Sequence, residues 1–152
     1  EQQTPIYYNG HLFSIMPKDA GGLRNEFVCF HPDDCRKVVM RSGKTERFGL
    51  GPYIIADGKF FILNDDGELT IAKLSTNKFT ILSRSQIIDG QDSWGPFAIT
   101  GGYLLMRDSK QLICINIISC NQFCCLIGFN CLGSNLTNFT HTYNGYINHE
   151  LA

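Results

Sequence analysis

GPYIIADGKFFILNDDGELTI, Gly51 to Ile71, decides the fold class of this 152-residue chain. Pro52 leads into a short apolar run, Tyr53 to Ala56, and an Asp57-Gly58 pair separates that run from Lys59 to Leu63. An Asp66-Gly67 pair then precedes a third run, Glu68 to Leu74. Two-residue Asp-Gly turns place positive φ where glycine tolerates it and match the right-handed twist of paired strands. The stretch therefore predicts an antiparallel meander.

A weaker copy lies on either side of this stretch. Pro5-Ile6-Tyr7-Tyr8-Asn9-Gly10-His11-Leu12-Phe13 precedes it, and Pro96-Phe97-Ala98-Ile99-Thr100-Gly101-Gly102-Tyr103-Leu104-Leu105 follows. Pro5, Pro52 and Pro96 are 47 and 44 residues apart, the period of a four-stranded propeller blade. The expectation is an all-β chain, a partial β-propeller of about three four-stranded antiparallel blades. The blades are placed at about 4–41, 51–83 and 95–117, within a region 1–117, with an atypical tail at 118–152. A propeller closes with about four blades or more, so the three copies, and a start at Glu1, lead to the expectation of a segment of a longer chain whose remaining blades would be partners.

Strands are predicted at Pro5 to Tyr8, His11 to Met16, Glu26 to Phe30 and Lys37 to Arg41 in the first unit. In the second they are Tyr53 to Ala56, Lys59 to Leu63, Glu68 to Leu74 and Lys78 to Ser83. The third unit offers Phe97 to Thr100, Tyr103 to Arg107 and Gln111 to Ile117, with no evident fourth strand; that strand would come from a closure seam or from the tail. Beyond Ile117 the composition changes: Glu150 is the single charged side chain of the remaining residues. Low charge with scattered Phe and Leu is not the composition of a solvated disordered tail, nor does it carry the repeat. It reads as a segment foreign to the blades. Asn135-Leu136-Thr137 and Asn138-Phe139-Thr140 match the N-glycosylation pattern, which is too common to establish secretion.

The net charge is −1 and the basic residues form no run, which argues against nucleic acid or an anionic membrane as partner. No apolar stretch reaches the ~18 residues of a spanning helix. Seven cysteines, an odd number crowded between Cys114 and Cys131 apart from Cys29 and Cys35, define no disulfide framework.

Residues 4–117 resemble the quinoprotein-like propeller family, whose blades are PQQ-like repeats, and within it the uncharacterised members of Bacteroides type. The likeness rests on Pro17-Lys18-Asp19-Ala20-Gly21, on Ser42 to Pro52 (SGKTERFGLGP), on Asp57 to Leu63 (DGKFFIL), on Asp89 to Pro96 (DGQDSWGP) and on Leu104 to Ser109 (LLMRDS). The family signature, an Ala-x-Asp turn with Thr-Gly and an outer-strand Trp, is degenerate: the second unit keeps Asp66-Gly67 and lacks the Trp. The resemblance implies a bacterial protein of the periplasm or cell surface. Its enzymes imply PQQ and a calcium ion on the propeller axis with an aspartate base, for which Asp92 is the one nominee. Those enzymes also carry a disulfide between adjacent cysteines against the quinone; Cys124-Cys125 lies outside the matching region, and there two small apolar side chains are the plainer reading.

Loop lengths sort by position. Connections between first and second strands are two residues long, whereas the charged ones, Pro17 to Asn25, Ser42 to Gly51 and Arg84 to Gly95, join second to third strands or one unit to the next. A meander places these on one end, and binding residues concentrate on such loops. Lys18, Asp19, Arg24, Lys44, Glu46, Arg47, Asp92, Trp94 and Arg107 are thus the candidates for one composite binding surface. The structural alternative is that they pair with one another across neighbouring units. Trp94 would serve as a platform for a planar ligand or an anchor for a partner, or else as a wedge between blades.

Cys29, His31 and Cys35 lack a fourth ligand at zinc spacing. Asn64 to Glu68 lacks the length and distal Glu of a calcium loop and reads as a turn. His141 and His149 have no evident partner, and no phosphate loop, zinc-protease helix or nucleophile elbow occurs. The sequence therefore supports a non-catalytic scaffold that binds a ligand or protein through its long-loop end, with no cofactor; the alternative is a fragment of a PQQ-dependent alcohol dehydrogenase.

Overall fold

The computed structural model describes residues 3–90, 92–120, 123–132 and 135–137, and from residue 118 onward the backbone alone. The chain is all-β, built as three sheets of sequence-consecutive antiparallel strands. The first holds β1 (Ile6–Tyr8), β2 (His11–Ile15), β3 (Phe27–His31) and β4 (Asp34–Arg41). The second holds β5 (Tyr53–Ala56), β6 (Lys59–Leu63), β7 (Glu68–Lys73) and β8 (Ile81–Gln86). The third holds β9 (Ala98–Thr100), β10 (Tyr103–Arg107), β11 (Leu112–Cys120), β12 (Phe123–Leu132) and β13 (Asn135–Thr137). Among the described residues no helix is long and apolar enough to cross a membrane.

The turns that open each sheet are alike. Asn9 and Gly10 (φ 47° and 74°), Asp57 and Gly58 (45° and 67°), and Gly101 and Gly102 (54° and 81°) all have positive φ at both central residues. That is the type I′ geometry, which suits the twist of a hairpin. It fixes the register of the first two strands: Tyr8 opposes His11, Ala56 opposes Lys59 and Thr100 opposes Tyr103.

Counted from these turns, the sheets stack as a repeat. Leu12, Phe60 and Leu104 hold one place, and Phe13, Phe61 and Leu105 the next. Phe13 and Ile15 pack toward the second sheet, where Phe60, Ile62 and Ala72 meet them. Phe61, Leu63, Leu69 and Ile71, on the opposite face of that sheet, pack on Leu104, Met106, Ile113 and Ile115 of the third. Because side chains alternate along a strand, β6 is apolar at four successive positions for a physical reason: it serves two cores at once.

A further register feature recurs. Met40 opposes Cys29 while Val38 opposes Phe30, leaving Val39 extra. Ser83 opposes Ile71 while Ile81 opposes Ala72, leaving Leu82 extra. Cys29 and Ile71 hold equivalent places, since they oppose Phe13 and Phe61. The fourth strands of the first two sheets thus carry a β-bulge at the same point of the repeat.

The fourth strands are where sequence-based expectation and structure differ. β8 begins at Ile81 instead of Lys78, because residues 74–80 form the connection: Ser75 Oγ accepts the Asn77 N–H (3.2 Å). Phe79 turns inward there, its ring 5.9 Å from Phe27 and 5.8 Å from Phe48. β4 starts earlier than expected, at Asp34, after a tight turn in which the Asp33 N–H donates to His31 Nδ1 (3.3 Å). In the third sheet β11 runs through Ile117 to Cys120, and β12, within the stretch that composition sets apart, pairs along it in fourth position.

Phe60 is fully buried, with ring centroids of Phe13 and Phe27 at 5.0 and 4.8 Å. Phe60→Ala is expected to cost about 3–5 kcal/mol in urea unfolding. Leu82→Ser, at the exposed bulge, should change stability by less than about 0.5 kcal/mol. Equal effects of the two would contradict stacking through Phe60.

Candidate functional site

Antiparallel pairing sends the β2–β3, β6–β7 and β10–β11 connections to the same end as the chain segments that pass from sheet to sheet. Hydrogen bonds tie this end together. The Phe48 N–H donates to Asn25 O (3.0 Å), and the Ile87 N–H donates to Gly67 O (3.0 Å). The two short connections are closed by equivalent side chains. Asn64 Oδ1 accepts the N–H groups of Asp66 (3.0 Å) and Glu68 (2.8 Å); Asp108 Oδ1 accepts those of Lys110 (2.7 Å) and Gln111 (2.8 Å). Burial opposes the charge on Asp108, yet these N–H groups and the Gln111 amide outweigh it and hold the carboxyl below its ordinary range.

A glutamate–arginine pair recurs in the first two sheets. Glu26, just before β3, accepts from Arg41 of β4 at 2.5 and 3.0 Å. Glu68, heading β7, pairs with Arg84 of β8 at 3.2 Å. Glu26 is 1% exposed, and hydrogen bonding from Arg41 holds its carboxyl below the usual value, with Lys44 and the Gly43 N–H adding to the effect against desolvation. Arg41 also donates to Gly22 O (2.8 Å), fastening the β2–β3 connection.

The segment between the first two sheets is held to the second. Glu46 pairs with Arg84. Arg47 makes a two-pronged contact with Asp65 (2.5 and 3.0 Å) and reaches Asp66 at 3.0 Å. Between this segment and the β2–β3 connection lies an open cleft of about 370 Å³, lined by Gly21, Gly22, Arg24, Asn25, Glu26, Lys44, Glu46 and Arg47. With Glu26, Glu46 and Arg47 committed to ion pairs, Arg24 and Lys44 are the cleft cations that form no ion pair within 4 Å among the described residues.

Of the nine residues expected to form one composite surface, the structure gathers Arg24, Lys44, Glu46 and Arg47 around this cleft; Lys18, Asp19, Asp92, Trp94 and Arg107 do not line it. Glu46 and Arg47 follow the structural alternative, pairing across units. Asp92, with φ 58°, and Trp94 belong to the connection between the second and third sheets. Trp94 is 42% exposed and takes no part in either apolar core. Arg107 packs along Gly95, where an added Cβ would lie 2.9 Å from Nε.

Sequence reasoning missed Glu26, Arg41, Asp65, Asp66 and Arg84. A signal was present: both Glu26 and Glu68 stand at the head of a third strand, and Arg41-Ser42 and Arg84-Ser85 recur in the fourth.

Among the described residues no three His, Cys, Asp or Glu side chains converge. Cys29 sits in the first apolar core, where burial pushes its thiol up to about 11, whereas Cys35 is exposed and His31 faces Asp33 at 3.7 Å. Cys124 and Cys125 oppose Ser119 and Ile118 in the β11–β12 ladder, and Asn135–Thr137 is β13; their side chains, like Asn138-Phe139-Thr140, His141 and His149, lie outside the described residues. No protein-family model matches the chain, and no curated protein matches it.

The Glu26–Arg41 pair carries a pH signature. A carboxyl whose folded pKa is depressed stabilises the fold above its unfolded value, ordinarily 4.5, and that contribution disappears as pH falls through the lower folded value. Glu26→Gln should cost about 1–2 kcal/mol at pH 7, the half-exposed partner keeping the effect small. In urea unfolding at pH 7 and pH 3, the parent should lose more stability on acidification than the variant. Equal losses would exclude the pair as a source of acid sensitivity.

Proposed function

We propose that the chain is a segment of a β-propeller, its three sheets being blades, and that it works as a non-catalytic scaffold binding through the long-loop end. The observation that carries this reading is the cleft at that end: its acidic groups are held in ion pairs, while Arg24 and Lys44 form none within 4 Å among the described residues. Gly21 and Gly22 add open backbone, since a Cβ at either would meet nothing within 4 Å. Such a site favours a ligand bearing carboxylates or phosphates, held by charge-assisted hydrogen bonds. The resemblance to PQQ-like repeats supports the propeller part of the proposal and gives the bacterial cell surface or periplasm as its setting.

A short polyglutamate peptide, titrated calorimetrically, tests the reading. Arg24→Glu with Lys44→Glu should weaken binding roughly tenfold or more, while Lys59→Glu, at the opposite end, should leave it unchanged. Equal affinity in all three proteins would sink the proposal. Calcium-dependent quenching of Trp94 fluorescence by PQQ would replace it with the dehydrogenase reading.

A further inference from the structure

The two sheet-to-sheet interfaces are built from the same pair of faces. The face carrying Phe13 in the first sheet and Phe61 in the second always looks forward along the chain; the face carrying Phe60 in the second and Leu104 in the third always looks back. This is a heterologous, head-to-tail interface, which by its nature leaves one face of each kind unsatisfied at the ends of a stack.

Among the described residues, each end face carries apolar side chains that are more open than their equivalents, although Val28 on the back face of the first sheet is fully buried. On the first sheet, Tyr7, Leu12, Phe30 and Val38 oppose one another in a single row across all four strands. The matching row of the second sheet is Ile55, Phe60, Ala72 and Ile81. Phe60 and Ala72 are fully buried there; Leu12 and Phe30 are half-buried, and Tyr7 is 65% exposed. On the third sheet, Leu112 occupies the place of Phe27 and Leu69. These are 0% and 1% exposed, whereas Leu112 is 45% exposed. Leu105 and Cys114, paired beside it, are half-buried, and Arg107, directly opposite Leu112, is exposed and charges the rim of this face.

We infer that the back face of the first sheet and the forward face of the third are the two halves of one interface, and that a second copy of this chain occupies them head to tail. Two copies would bring six sheets together, within the range of about four to eight that close a ring by this stacking. The inference rests on the proposed reading of the three sheets as propeller blades and does not depend on what the cleft binds.

Sedimentation of the full chain over a wide range of concentration tests it, with far-UV circular dichroism confirming that each variant folds. The expected result is a monomer–dimer equilibrium. Tyr7→Glu/Leu12→Glu, which blocks the back face, and Leu112→Glu, which blocks the forward face, should each raise the dissociation constant roughly tenfold or more. An equimolar mixture of the two variants should recover a dimer that neither forms alone, because each retains the face the other lacks. Should Leu12→Glu disturb folding, Tyr7→Glu alone carries the same test. A parent chain that stays monomeric overturns the inference and leaves both faces to sheets of another polypeptide, without touching the peptide titration at the cleft. A dimer that survives either substitution overturns it as well, since it would use the same face twice or neither.

Discussion

The burial of β6 on both faces is the constraint on which the rest of the structure depends. Phe60 and Ile62 serve the core shared with the first sheet, and Phe61 and Leu63 the core shared with the third. A slip of one residue in its register would exchange the two sets. The cores differ in character. Between the first and second sheets Phe13, Phe27, Phe48, Tyr53, Phe60 and Phe79 form an aromatic cluster with edge-on and tilted contacts, whereas aliphatic side chains dominate between the second and third. Tyr53 can be buried there because its single hydroxyl hydrogen has the carbonyl oxygens of Thr4 (3.2 Å) and Phe13 (3.3 Å) as alternative acceptors.

Close backbone contacts extend that order to the long-loop end. Gly67 and Gly90 have φ of 84° and 79°, and an added Cβ on either would lie 2.2 Å from the backbone of the other's connection. The β6–β7 turn and the segment leaving β8 therefore meet backbone to backbone, and the Gln86 side-chain amide joins them by donating to Asp66 O (2.6 Å) and Ile88 O (2.7 Å). Arg47 and Arg84 then bind the preceding segment onto the same turn and strand. Exposed ion pairs contribute little one by one. Here they join segments already positioned by backbone hydrogen bonds, so the cleft has walls fixed on both sides.

Much of the fold was legible because it is local. Asp57-Gly58 and its two counterparts announce hairpins through a φ requirement that residue type reveals directly, and the apolar run of Lys59 to Leu63 has the length of a strand buried on both faces. The fourth strands were not legible to the same degree. Their pairing is interrupted by a bulge, and Phe79 is drawn from the connection into a core that lies distant in sequence, a tertiary effect that local preference does not encode. β12 was hidden for a related reason: its Cys, Asn and Gly content resembles none of the earlier fourth strands. At the candidate site, the positions of charges on long connections were readable from loop lengths. Which of them are neutralised was not, since Glu46–Arg84 and Arg47–Asp65 are set by how two sheets approach each other.

The even number of strands in each of the first two sheets explains why the long connections gather at one end of the molecule. A four-stranded meander begins and ends at the same end, so the chain leaves each sheet where it will enter the next, and the β2–β3 and β6–β7 connections fall there too. The other end then holds the type I′ turns, whose geometry is bound to strand register, together with the β3–β4 turn and the longer β7–β8 connection. At the long-loop end nothing in the pairing limits length, and the β2–β3 connection accordingly runs from Met16 to Glu26 where the β6–β7 connection needs only Asn64 to Gly67. The segments that pass from sheet to sheet also send Phe48 and Ile88 into the two cores, so the long-loop end is anchored to the stacked sheets while its exposed charged side chains lie outside both cores. Residues such as Arg24 and Lys44 can change without disturbing Phe60, provided that Glu26, the buried carboxylate beneath them, keeps Arg41.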